Sequence, residues 1–183
     1  MKKIGTRRLE TSRLILRRFT VADAEDMYTN WASDPEVTRY LTWPCHPSAE
    51  ATAALLENWV AQYEDGGRFS WAIQRKEGGG VIGSIAAIKL DEAVNSAEIG
   101  YCLSRAYWGQ GLMPEALRAV LDYLFDEADF NRLSAYHDVC NPNSGRVMQK
   151  AGMRYEGTLR QAGKNNQGIC DLDCYAALRA DPR

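Results

Sequence analysis

The chain has no apolar run long enough to span a bilayer, and its first residues lack the apolar stretch of an export signal. A membrane partner is therefore not expected, and a cytoplasmic location is. Basic charge is not in excess either: 22 Lys and Arg stand against 24 Asp and Glu, a formal net charge of −2. That argues against a nucleic-acid partner, which would be held by phosphate neutralisation. Cysteine occurs five times, at Cys45, Cys102, Cys140, Cys170 and Cys174, but never in two close pairs. His137 and Cys140 stand three apart with no second pair to complete a ligand set, so reduced thiols and no metal are expected. There is no internal repeat, low-complexity tract or linker. With 183 residues, 45% hydrophobic and 25% charged, the composition is that of one globular domain over residues 1–183.

What is present is organised around Tyr107-Trp108-Gly109-Gln110-Gly111-Leu112-Met113-Pro114-Glu115. A strand-like run, Ala97 to Leu103, precedes it. After it, Ala116, Leu117, Val120, Leu121, Leu124, Phe125 and Ala128 form a stripe of helical period. Two glycines let the backbone approach a ligand closely, and Pro114 suits the first turn of a helix, where its missing N–H is no loss. The free N–H groups of the loop thus gather at the positive end of a helix dipole, a site for phosphate. The pattern is neither the dinucleotide fingerprint, which needs a third glycine, nor a P-loop, which needs Gly-Lys-Ser/Thr. On its own it also fits a tight turn without a ligand.

The remaining elements follow from punctuation and period. Arg7 to Phe19 reads as a strand. Thr20-x-x-Asp23 opens a helix to about Ala32, and Ser33 to Pro47 reads as a loop. Ser48 caps a second helix bearing Leu55, Leu56, Trp59, Val60 and Tyr63 on one side. After the break at Asp65-Gly66-Gly67 come three strands, Phe69 to Lys76, Val81 to Leu90 and Ala97 to Leu103, as an antiparallel meander. Leu133 to Val139 is a strand, Ser144 to Ala151 a short helix stopped by Gly152, and Met153 to Leu159 pairs with Ile169 to Leu178 across Lys164 to Gly168. The order β-α-α-β-β-β-α-β-α-β-β predicts an α/β domain with a mixed, mostly antiparallel sheet of about seven strands and four flanking helices. Residues 97 to 139 should form a right-handed parallel crossover, which sets the glycine loop at the carboxyl end of a strand, where α/β sheets bind ligands.

Thr11-Ser12-Arg13-Leu14-Ile15-Leu16-Arg17, Ala97-Glu98-Ile99-Gly100-Tyr101, Tyr107-Trp108-Gly109-Gln110-Gly111, Asn141-x-x-Ser144 and Lys150-Ala151-Gly152-Met153-x-Tyr155-Glu156-Gly157 together resemble the GNAT superfamily of acyl-CoA N-acyltransferases. Within it the chain is similar to the ribosomal-protein N-terminal acetyltransferase (RimJ/RimL) branch. The family's cofactor hexapeptide, Gln/Arg-x-x-Gly-x-Gly/Ala, corresponds to Trp108 through Met113, where only Gly111 matches strictly.

The resemblance implies a GNAT-like fold, acetyl-CoA as cosubstrate and transfer to a primary amine, with monomer or homodimer as the assembly. It places coenzyme A along Tyr101, Cys102, Leu103, Trp108, Gly109, Gln110, Gly111, Leu112 and Met113. A backbone N–H near Leu103 would face the thioester oxygen. Glu98 is the implied base and Ser144 the implied proton donor, because Met148 stands where the family often has a tyrosine. Asn141 and Asn143 would contact pantetheine, and Arg146 and Lys150 are phosphate candidates that also fit a solvated helix face. Tyr40, Trp43 and His46 lie in the segment that covers the acceptor side. A free α-amine has a pKa near 8 and lysine one near 10.4, so deprotonating lysine costs about 3 kcal/mol more at neutral pH. That tilts the acceptor toward a protein N-terminus or a small α-amine. The alternative is a GNAT-fold module that binds acyl-CoA without transferring the acyl group.

Overall fold

The computed structural model describes residues 1–64 and 66–182, so that Asp65 of the predicted turn lies outside the described residues. One sheet of eight strands runs through the molecule in the order β1-β2-β3-β4-β5-β6-β8-β7. The strands are β1 (Leu9–Glu10), β2 (Leu14–Arg17), β3 (Ser70–Arg75), β4 (Val81–Asp91), β5 (Ser96–Leu103), β6 (Arg132–Asp138), β7 (Arg154–Asn165) and β8 (Gly168–Leu178). Every neighbouring pair is antiparallel except β5 and β6, which are parallel as the crossover expectation requires.

The helices are α1 (Ala24–Met27), α2 (Pro35–Thr38), α3 (Ala49–Ala61), α4 (Leu112–Asp126) and α5 (Pro142–Lys150). The capping box at Thr20 is formed, and Ser48 Oγ accepts from Ala51 N at 3.2 Å. The predicted helix from Thr20 to Ala32 is a composite, with a 3-10 turn at Val21–Asp23 before α1 and a π-helical turn at Tyr28–Ala32 after it.

Two expectations are corrected. The strand predicted over Arg7 to Phe19 is a hairpin, β1 to β2, because the Thr11 hydroxyl accepts from Leu14 N at 2.9 Å and folds the chain back. Residues predicted as loop hold α2, because Asp34 accepts from Glu36 N at 2.9 Å and Pro35 occupies the first helical position. Among the described residues the sheet therefore has eight strands where about seven are expected, and the domain five α-helices where four are expected.

The sheet separates two cores. On one face, Leu14, Leu16, Trp71, Ile73, Ile99 and Leu133 pack against the stripe of α4, whose Ala116, Leu117, Val120, Leu121, Leu124 and Phe125 are all buried. On the other, Phe19, Met27, Trp31 and Leu56 close over Ala72, Val81 and Cys102. Each large apolar side chain removed from water contributes about 1.5–3 kcal/mol, so packing on both faces holds the strands rigidly.

At the edge of the second core, Arg17 grips Asp23 with two bonds of 2.7 and 2.8 Å, and Thr20 N adds a third at 2.8 Å. Burial pushes the Asp23 carboxyl up, but the bonds from Arg17 and Thr20 outweigh it and hold the group below its ordinary 3.8. A carboxyl held down stabilises the fold above its ordinary value and ceases to as pH falls through the lowered one. Asp23→Asn, which leaves the charge of the half-buried Arg17 without its counter-ion, is expected to cost about 3 kcal/mol in urea unfolding at pH 7. The gap to the parent should shrink below about pH 4. A gap that stays constant into that acid range would show that the pair does not carry the stability.

Candidate active site

The parallel ladder between β5 and β6 is three residues long: Ser96 opposite Arg132, Ala97 opposite Leu133, Glu98 opposite Ser134. Beyond Glu98 the two strands part. β5 stays with β4 as far as Leu103 opposite Gly83, and β6 stays with β8 as far as Asp138 opposite Leu172. Each follows its antiparallel partner, and a gap opens between Ile99–Leu103 and Ala135–Asp138. Backbone groups that face a gap between strands are matched by an extended chain carrying its own amides, as in strand addition.

The glycine loop stands at the wide end of this gap. A 3-10 turn, Arg105–Tyr107, follows β5, and Trp108 Nε1 donates back to Leu103 O at 2.8 Å. Gly109 (φ 75°) and Gly111 (φ 74°) are left-handed, and Gly111 caps α4 with no side chain to occupy the helix end. Leu112 and Met113 send their side chains into the core, so only their backbone can serve a ligand. Gln110 is exposed; its Nε2 donates to Ala106 O at 3.0 Å and its carbonyl accepts from Arg13 at 2.9 Å.

Tyr101 reaches over the gap to α5: its hydroxyl lies 2.9 Å from both the carbonyl and the Oγ of Ser144. Burial pushes the Tyr101 phenol far above its ordinary value, so it holds Ser144 in place as a neutral group. Met148 is buried and offers no proton. Asn141 precedes α5 and its carbonyl accepts from Ser144 N at 3.1 Å. Asn143 and Arg146 bond to each other at 3.3 Å on the exposed face of α5, and Lys150 is exposed beyond them.

Because strand side chains alternate, Glu98 and Cys102 face away from Tyr101, toward the α1–α3 side. Cys102 is buried there, 3.2 Å from Ser84 Oγ, and burial pushes its thiol up to about 11, so its side chain is an inert part of the core. Glu98 sits at the fork of the two strands, with Lys89 Nζ 2.7 Å from Oε2. A register shift in β4 between Ala87 and Lys89 brings Lys89 opposite Glu98; an extra residue in one strand re-aims the next side chain in this way.

The segment expected over the acceptor is tied to the β7–β8 turn. Asn166 donates to Thr38 O and Trp43 O, both at 2.8 Å, and its N–H to Leu41 O at 3.2 Å. A cavity of about 430 Å³ lies beneath, lined among others by Tyr40, Asp138, Cys140, Ile169 and Asp171. Of the three acceptor candidates only Tyr40 lines it. His46 turns toward α3, with Nδ1 2.8 Å from Thr52 Oγ1 and its ring 5.3 Å from that of Trp43; burial lowers its pKa.

Two contacts were missed from the sequence. Glu115 binds the β1–β2 turn through Thr11, Ser12 and Arg13. His137 is buried, donates from Nδ1 to Asp138 O at 2.7 Å, and aims Nε2 at Gly145, where any Cβ would stand 2.5 Å away. Only glycine lets α5 ride this low on β6. Gly145→Ala should therefore lift the start of α5, costing about 1–3 kcal/mol in urea unfolding. Unfolding that matches the parent would show that the height of α5 is not critical.

A family model described as an acetyltransferase (GNAT) domain matches residues 13–154. YoaA, an uncharacterized N-acetyltransferase of Bacillus subtilis, is 32% identical over 171 residues, which is 93% of this chain and 96% of that protein. The ribosomal-protein-serine acetyltransferase of Escherichia coli is 29% identical over 139 residues, 75% of this chain and 76% of that one. A solved GNAT-family acetyltransferase from Bacillus anthracis matches with a TM-score of 0.84 at 26% identity, over 96% of this chain and 100% of its own. With the family model spanning most of the sequence and YoaA matched over nearly its full length, the chain belongs to the GNAT family of acetyltransferases.

Proposed function

We propose that the chain transfers the acetyl group of acetyl-CoA to an α-amine, either a protein N-terminus or a small amine metabolite, in the manner of the RimJ/RimL branch. The parting of β5 and β6, whose wide end leads to the open end of α4, carries this reading. A pantetheine arm laid in the gap would meet strand edges, and its pyrophosphate would meet the free N–H groups of Gly111, Leu112 and Met113.

The roles follow from the two faces of β5. On one face Glu98 takes the proton of the incoming amine at the fork, with Lys89 holding its carboxylate in place. Backbone N–H groups near Leu103 face the carbonyl oxygen and stabilise the charge that gathers there. On the other face Ser144, held by Tyr101, keeps a proton at Oγ for the departing sulfur. The two proton transfers thus occur on opposite sides of one strand and do not short-circuit each other. Asn141 and Asn143 contact the arm at the start of α5, and Arg146 reaches toward the phosphates. Tyr40 contacts the acceptor from the cavity wall, whereas Trp43 and His46 shape the loop behind it.

The preference for an α-amine rests on proton cost. A lysine acceptor would need about 3 kcal/mol more to lose its proton at neutral pH, and this reading gives Glu98 the task of receiving it. The experiment is thiol release from acetyl-CoA over N-terminal peptides, lysine peptides, amino acids and polyamines. We expect turnover on α-amines, lowered about 100-fold or more by Glu98→Gln and by Ser144→Ala. Turnover that neither change affects would remove both assignments, and coenzyme A binding without turnover on any amine would favour a binding module.

A further inference from the structure

Glu115 lies in the first turn of α4, yet its carboxylate turns away from the helix end. Oε1 accepts from Thr11 Oγ1 at 2.6 Å, Ser12 Oγ at 3.0 Å and Arg13 N at 3.0 Å. Oε2 accepts from Arg13 Nε at 2.7 Å and NH2 at 2.6 Å. The remaining arm of the same guanidinium, NH1, donates to the carbonyl of Gln110 at 2.9 Å. Arg13 therefore joins three pieces of chain: the β1–β2 turn, the first turn of α4, and the peptide between the two left-handed glycines.

We propose that Arg13 and Glu115 are positioning residues that set the phosphate-holding shape of the glycine loop, an inference that rests on the reading of that loop as the pyrophosphate site. A peptide unit is planar with its C=O and N–H pointing opposite ways. Holding the Gln110 carbonyl toward Arg13 thus turns the Gly111 N–H to the opposite side, alongside the free N–H groups of α4. A loop built on two glycines has many backbone conformations open to it, so this orientation has to be imposed from outside. Glu115 is the part that fixes Arg13 in turn, gripping two of its nitrogens and its backbone N–H. It also cancels the charge of Arg13, leaving a neutral pair beside the anion site. Burial pushes the Glu115 carboxyl up, but the bonds from Thr11, Arg13 and Ser12 outweigh it and bring it to about 2, so the grip persists at any working pH.

The test compares acetyl-CoA with S-acetylpantetheine, which has the same thioester and arm but no pyrophosphate. In Glu115→Gln and Arg13→Lys, the KM for acetyl-CoA should rise about tenfold with kcat within about twofold. For S-acetylpantetheine, kcat/KM should change by less than about twofold. Lysine keeps the charge of Arg13 but cannot span Glu115 and Gln110 together, so its failure to rescue marks the bridge rather than the charge. An unchanged KM for acetyl-CoA in both variants would overturn the proposal. So would an equal loss on the two thioesters, which would mark a purely structural defect. If the parent protein itself showed no preference for acetyl-CoA over S-acetylpantetheine, the pyrophosphate reading of the loop would fall, and the positioning role with it.

Discussion

The parallel ladder that stops at Glu98 and Ser134 is the constraint on which the rest of this molecule depends. Two neighbouring strands with free edges would ordinarily close on each other, since each unmet backbone group is costly once buried. Here each strand is committed elsewhere. β5 runs with β4 to Leu103, β6 runs with β8 to Asp138, and both cores hold these partners from the two faces of the sheet. Tyr101 and Ser144 bridge the opening on the α5 side, and no ladder joins the strand edges past Glu98 among the described residues.

The periodic parts of this arrangement are legible in the sequence. The stripe of α4, the capping box at Thr20, the Ser48 cap and the meander of β3, β4 and β5 each rest on neighbours a few residues apart, and each is present. The glycine loop was legible for the same reason, because Gly109, Gly111 and Pro114 have local backbone meanings. What failed was also local but carried by one side chain. The Thr11 hydroxyl turns an apolar alternation into a hairpin, and Asp34 caps a helix in a stretch that reads as loop.

The site was less legible because its geometry is made of long-range contacts. Glu115 looks like an acid favoured near any helix start, and only the fold shows that its partner is Arg13, about a hundred residues earlier in the chain. Gly145 looks like a weak spot in a helix until His137 is seen beneath it. The length of the β5–β6 ladder has no sequence signal, since the residues on either side of Glu98 are equally suited to a strand. Tyr40, Trp43 and His46 share the segment that the resemblance sets over the acceptor, and packing against α3 and each other turns Trp43 and His46 away from the cavity that Tyr40 lines.

Amide hydrogen exchange with and without coenzyme A tests most directly whether the opening between β5 and β6 is the cofactor cleft. Slower exchange at Gly100–Leu103 and at Gly111–Met113 on adding coenzyme A, with little change elsewhere in the sheet, is the expected result. Binding that leaves these amides unchanged, or protects only the cavity beside Tyr40, would contradict it.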